Sequence, residues 1–88
     1  MKSKNISAEN TFTGNKEVYG PCDISISGTF EATVTLQRSF DEGSTWLDVD
    51  TWTAPAESYF TEKRQNVLYR IGIKTGDYTS GTAKVLLF

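Results

Sequence analysis

Apolar and polar residues alternate with a period of two along most of this chain. From Cys22, single polar residues separate the apolar residues Cys22, Ile24 and Ile26, and Gly28 ends the run. The next segment, TFEATVTLQ (29–37), places Phe, Ala, Val and Leu on one face and Thr, Glu and Gln on the other. This period is that of β-strands with one buried face.

The same alternation continues through the second half of the chain. TWLDVDTWT, VLYRIGIK and TAKVLLF read as strands, ESYFTEK as a shorter one, and NTFT and KEVY as short edge strands. No stretch has apolar residues at helical spacing over three turns. The sequence therefore predicts an all-β fold: a small antiparallel β-sandwich, of immunoglobulin-like Greek-key type, with a small β-barrel as the alternative. We expect residues 15–88 to form this domain and the polar residues 1–14 to form a flexible arm that a partner orders.

Composition excludes several classes of function. The 88 residues suffice for one domain, and a net charge of −2 gives no basic surface for nucleic acid or an anionic membrane. No apolar run could span a bilayer, and the start of the chain lacks the apolar segment of a secretory signal. There is one cysteine and no histidine, so intrachain disulfides and histidine chemistry are impossible. We expect no enzymatic activity, no cofactor, no metal site, and no binding to nucleic acid or membrane.

The segment RSFDEGSTW (38–46) matches the Asp-box spacing known from sialidases and other glycan-handling β-propellers. Each residue of the motif has a role in folding. Asp41 can accept hydrogen bonds from the backbone of a hairpin connection, and Gly43 can adopt a positive φ. The ring of Trp46 can cover the turn. We therefore interpret Ser39, Asp41, Gly43 and Trp46 as a structural turn and not as evidence of sugar chemistry.

Trp52 is a candidate contact residue. If Leu47 and Val49 point into the core, Trp52 points outward with Asp48 and Asp50. Exposed tryptophan marks contact surfaces. A β-bulge in this strand would instead return Trp52 to the core, so both alternatives stay open.

The last strand is apolar on both faces. Its outward phase contains Leu86 and Phe88, where a solvated face would be polar. The segment around Phe12 or another subunit is expected to cover these residues, so Phe12, Leu86 and Phe88 join Trp52 as predicted protein contacts. Gly72, in the outward phase of VLYRIGIK, would allow a neighbouring backbone to approach closely.

Two segments, ISGTFEATVTLQRSFDEGSTWLDVDTWTAPAE and NVLYRIGIKTGDYTSGTAKV, resemble small β-sandwich structural proteins of tailed bacteriophages. The likeness rests on a "TVTLQRS-D-G-TW" hairpin and a "YRI-TG-YTSGT" strand pair, and it covers about Ile24 to Val85. The usual pattern has glycine directly after the aspartate, where this chain has Glu42 before Gly43. The resemblance implies a non-enzymatic virion protein, made in the bacterial cytoplasm, that acts through protein–protein contacts.

The resemblance suggests a capsid decoration or stabilising protein that binds major capsid or tail proteins. The final strand, apolar on both faces, favours a homo-oligomer, for which a trimer is the expected form. A tail, neck or head-fibre accessory protein is one alternative. A carbohydrate-binding module for host-surface glycans, with Trp52 as platform and Asp48 and Asp50 as polar rim, is the other.

Overall fold

The computed structural model describes residues 1–88, which form strands and turns without a helix. The seven strands are β1 (Lys2–Ile6), β2 (Thr11–Phe12), β3 (Lys16–Ala32), β4 (Val34–Ser39), β5 (Leu47–Trp52), β6 (Ala56–Ile73) and β7 (Tyr78–Leu87). All pairings are antiparallel. The predicted class, a small all-β sandwich or barrel-like fold, is confirmed.

One continuous sheet, in the order β1-β7-β3-β6-β4-β5, contains every strand except β2, which pairs with β6. The long strands β3 and β6 connect its two halves. The β7 side consists of β1, β7, residues 20–32 of β3 and residues 56–62 of β6. The β4 side consists of β2, β4, β5, residues 16–18 of β3 and residues 67–73 of β6. The sheet bends so that the inner faces of both sides enclose one core.

Most residues that the period-two pattern placed inward belong to the core or pack against it, with Leu47 and Val49 of β5 as exceptions. Burial of the apolar surface of the core residues is the main stabilising contribution to a domain of this size. The run predicted as one strand over 29–37 is divided at Thr33, whose backbone N–H donates to the Asp77 carbonyl at 2.9 Å. The fourteen buried apolar residues are Ile6, Val18, Cys22, Ile24, Ile26, Val34, Leu36, Val67, Tyr69, Ile71, Ile73, Ala83, Val85 and Leu87.

The N-terminal residues belong to the sheet, in contrast to the flexible arm expected over residues 1–14. β1 pairs with β7 in unbroken register from Lys2 opposite Leu87 to Ile6 opposite Ala83. The side chain of Ile6 is fully buried in the core. One apolar residue in an otherwise polar segment is enough to attach this strand, because the edge of β7 supplies its backbone hydrogen bonds.

A β-bulge interrupts β5 at Val49. Asp48 pairs with Gln37 and Asp50 with Leu36, which leaves Val49 without a partner on β4. The extra residue reverses the alternation of side chains along the rest of the strand.

This bulge decides between the two alternatives for Trp52. Leu47 and Val49 are exposed, so they do not point into the core. Trp52 lies opposite Val34, partly buried, and packs against the core. The bulge that would return Trp52 to the core is therefore present.

The close approach predicted at Gly72 is confirmed. The backbone of β2 crosses directly over this residue, and a Cβ atom added to Gly72 would lie 2.6 Å from Phe12 Cα and would also overlap the Thr11 carbonyl oxygen. The neighbouring Thr13 exchanges two hydrogen bonds with Ile71: its N–H donates to the Ile71 carbonyl at 2.9 Å, and its Oγ1 accepts from the Ile71 N–H at 3.2 Å. Glycine at position 72 therefore lets β2 place Phe12 on the outer face of β6.

Candidate functional site

The hairpin turn between β4 and β5 is organised by the side chains of Ser39 and Asp41. Ser39 Oγ donates to Asp41 Oδ1 at 2.7 Å and accepts from the Gly43 N–H at 2.8 Å. Asp41 Oδ1 also accepts from the Thr45 N–H at 2.8 Å. Gly43 has a φ of 93°, which favours glycine. The Ser39 hydroxyl and Asp41 Oδ1 are therefore both engaged in hydrogen bonds within the turn.

Protonation of Asp41 should loosen this turn. The hydrogen bonds from the Ser39 hydroxyl and from the Thr45 N–H lower the pKa of Asp41. The ionised Asp41 side chain therefore stabilises the folded protein at pH values above the ordinary aspartate pKa. This stabilisation is lost as the pH falls through the lowered pKa of the folded state. We expect Asp41→Asn, which keeps an acceptor oxygen but cannot ionise, to show a smaller fall in melting temperature on acidification than the wild type. An equal fall in both proteins would contradict this role.

Trp46 and Phe12, two of the predicted residues, meet on the outer face of the β4 side, around Arg70. The Arg70 Cζ atom lies 4.1 Å from the centre of the Phe12 ring and 4.3 Å from that of Trp46. Trp46 also lies against the turn, where its Cζ2 atom would be 3.6 Å from a Cβ atom added to Gly43. We call Phe12, Arg70, Trp46 and Gln37 the Arg70 site.

A chain of polar contacts continues from Arg70 across the sheet. Arg70 Nε donates to Gln37 Oε1 at 2.9 Å, and Gln37 Nε2 donates to Asp48 Oδ1 at 2.8 Å. Asp48 Oδ2 accepts from Lys74 Nζ at 2.7 Å. The bonds from Lys74 and Gln37 lower the pKa of Asp48, and Asp48 raises the pKa of Lys74. Burial lowers the pKa of Arg70, with no carboxylate offsetting it.

The outer face of the β7 side has an exposed row of aromatic residues. Phe88 follows Leu87, and its N–H donates to the Asp23 carbonyl at 3.0 Å; Asp23 in turn pairs with Tyr59. Tyr59 is 77% exposed and Phe88 is 48% exposed. Leu86, partly buried, occupies the next row of the same face. We call the two aromatic residues Tyr59 and Phe88, together with the adjacent aliphatic Leu86, the aromatic row.

The residues expected as a glycan platform do not lie together. Asp48 is on the outer face, bonded to Gln37, whereas Trp52 is on the inner side opposite Val34. The Asp50 carboxylate accepts from the N–H of its neighbour Thr51 at 2.8 Å. These residues form no shared platform and rim.

One carboxylate is buried at the end of the core. Tyr69 Oη donates to Glu62 Oε1 at 2.6 Å, and the Arg64 N–H donates to Glu62 Oε2 at 3.0 Å. Burial alone would raise the pKa of Glu62, but these bonds and the nearby Arg38 outweigh it and lower the pKa. Burial and the bond to Glu62 raise the pKa of Tyr69 to about 12. These bonds satisfy a buried carboxylate, so removing one of them should destabilise the fold.

Arg70 and its partner Gln37 are residues of interest that sequence analysis did not single out. Both lie in the outward phase of their strands, β6 and β4, where alternation alone marks them only as exposed. The one signal in the sequence for Arg70 was its position two residues before Gly72, which places both residues on the same face of β6. A segment that crosses over Gly72 can therefore also contact Arg70.

No group of three or more Cys, Asp or Glu side chains is placed to hold a metal ion. The structure has no helix with the length and apolar character needed to span a membrane.

Comparison with protein-family models, curated proteins and solved structures finds no match to this chain.

Proposed function

We propose that this protein is a structural protein of a tailed-bacteriophage virion, a capsid decoration protein that binds its neighbours through the aromatic row. The observation that carries this proposal is the exposure of Tyr59 and Phe88 on the same outer face of the sheet, with Leu86 beside them. Large aromatic residues are enriched at the centres of protein interfaces. The resemblance of the two hairpin segments to phage structural proteins supplies the biological setting.

Small contacts of this kind can stabilise a virion shell when they are repeated in many copies. Each aromatic side chain that becomes buried removes about 150–250 Å² of surface from water. A few such residues make a modest interface, but many copies on one particle add their contributions, so the total stabilisation of a shell is large. A closed homo-oligomer, for which we expect a trimer, would present several copies of the row together.

A position in the tail, in the neck or on a head fibre is the alternative within the same class, since the same row could contact any repeating protein surface. A glycan-binding role has weaker support. Its proposed platform residue, Trp52, packs against the core, and Asp48 is engaged by Lys74.

The first test is the native mass over a range of concentrations, measured by light scattering. We expect the wild type to form a discrete oligomer and the Tyr59→Ser/Phe88→Ser double variant to be monomeric at the same concentrations, because the apolar contact surface is removed. Phe40→Ser is the matched control: Phe40 is 43% exposed but lies on the turn after β4, outside the aromatic row. If the double variant and the wild type have equal masses at every concentration, the row is not the contact between copies.

The virion assignment needs a separate experiment. Antibodies against this chain should label purified particles of the phage that encodes it, on the head shell. Label on the tail or neck would support the alternative position, and unlabelled particles with intact heads and tails would contradict both.

A further inference from the structure

Arg70 is fixed in position, yet part of its guanidinium has no partner in the protein. The centres of the Phe12 and Trp46 rings lie 4.1 Å and 4.3 Å from Cζ, and Nε donates to Gln37 Oε1. The N–H groups of Nη1 and Nη2 donate to no protein acceptor, and neither ion pair of the structure includes Arg70. These donors therefore form an unpaired fork next to two aromatic rings.

The geometry of this fork fits a carboxylate. Two parallel N–H groups of a guanidinium match the two oxygens of a carboxylate, and such bonds are stronger where water is partly excluded. The side chain is already held by Phe12, Trp46 and Gln37, so a ligand would not have to order it. Asp48, which shares Gln37 as a hydrogen-bond partner with Arg70, is bonded to Lys74 and Gln37 and makes no ion pair with Arg70.

The surroundings of the rings favour a protein carboxylate over a sugar acid. Phe12 contacts Arg70 and also lies against Gly72, and Trp46 contacts Arg70 and also lies against the turn at Gly43. Each ring therefore already has protein contacts, which reduce the area on which a sugar ring could stack. The carboxylate of an aspartate or glutamate side chain needs only the two Nη donors of Arg70 as hydrogen-bond partners.

We propose that the Arg70 site binds the carboxylate of an aspartate or glutamate side chain of a partner protein. This site lies on the β4 side of the sheet, whereas the aromatic row lies on the β7 side. The inference therefore does not depend on the aromatic row or on the virion role, and it can fail or succeed independently of them.

The test is an NMR titration of the full chain with a blocked glutamate, N-acetyl-glutamic acid α-amide, at constant ionic strength. We expect saturable shifts of the Arg70 Nε–Hε and Trp46 indole signals, and none with the corresponding blocked glutamine. Arg70→Lys keeps the charge but loses the fork, so it should weaken binding about tenfold. Arg64→Lys is the matched control and should bind as the wild type does, because Arg64 stacks on Phe40 away from this site.

Three results would overturn the proposal. The wild type could give no saturable shift, a result that does not depend on how any variant folds. The blocked glutamine could give the same shift, which would show that charge is irrelevant. Glucuronate, titrated in parallel, could bind at least about tenfold more tightly than the blocked glutamate, and the ligand would then be a sugar acid.

Discussion

Gly72→Ala should destabilise the protein by about 3 kcal/mol, the upper part of the range for inserting a methyl group into a close-packed position. The new Cβ atom would overlap the Thr11 carbonyl oxygen and approach Phe12 Cα to 2.6 Å. Both are backbone atoms, so no side-chain rotation relieves the contact. The segment that contains β2 must move away from β6, and Phe12 would then leave Arg70.

Chemical denaturation of the variant and of Gly14→Ala measures this effect. A Cβ atom on Gly14 would meet only the flexible Lys2 side chain, at 3.7 Å, so this control should change the free energy of unfolding by less than about 0.5 kcal/mol. Arg70 Nε–Hε should also shift in Gly72→Ala but not in Gly14→Ala. Equal stability of the two variants would show that β2 does not depend on close contact with Gly72.

Tyr69→Phe should cost about 1–3 kcal/mol at neutral pH, because it removes the shortest hydrogen bond to the buried carboxylate of Glu62. The pKa of Glu62 is lowered in the folded protein. The stability that ionised Glu62 contributes is therefore present at pH values above the ordinary glutamate pKa, and it is lost as the pH falls through the lowered pKa of the folded state. Without the Tyr69 hydroxyl the pKa of Glu62 should rise, so the variant should lose less additional stability on acidification than the wild type.

Urea denaturation at neutral and at acid pH tests both parts of this prediction. Tyr78→Phe is the matched control, since the Tyr78 hydroxyl donates to the Gly81 carbonyl at an exposed position and its loss should change stability by less than about 0.5 kcal/mol. A Tyr69→Phe protein as stable as the control at neutral pH would mean that the Glu62 carboxylate is satisfied by Arg38 and the backbone alone.

The inward positions could be predicted from the sequence because they follow a strict alternation. The phase of Cys22, Ile24 and Ile26 matches the observed core, and Gly72 marked a close backbone contact before its partner was known. Alternation depends only on the local geometry of a strand, in which successive side chains point to opposite faces. It can therefore be recognised from the order of apolar and polar residues alone.

Features set by non-local pairing could not be read in the same way. The bulge at Val49 depends on which residues of β4 face β5, and no residue in LDVDTW marks it. The attachment of β1 depends on an open edge of β7 more than on its own polar sequence. The stacking of Arg70 requires Phe12 and Trp46 to approach from two separate segments, a placement that only the bent sheet determines.

The pairing of β1 with β7 has a consequence for how the chain acquires its structure. Residues 2–6 find their partners only at residues 83–87, and β3 likewise depends on β7 for half its length. Such distant pairings place this fold among those that form slowly, over milliseconds to seconds. During synthesis β1 cannot pair with β7 until residues 83–87 have left the ribosome, so the sheet is completed only after this last strand has emerged.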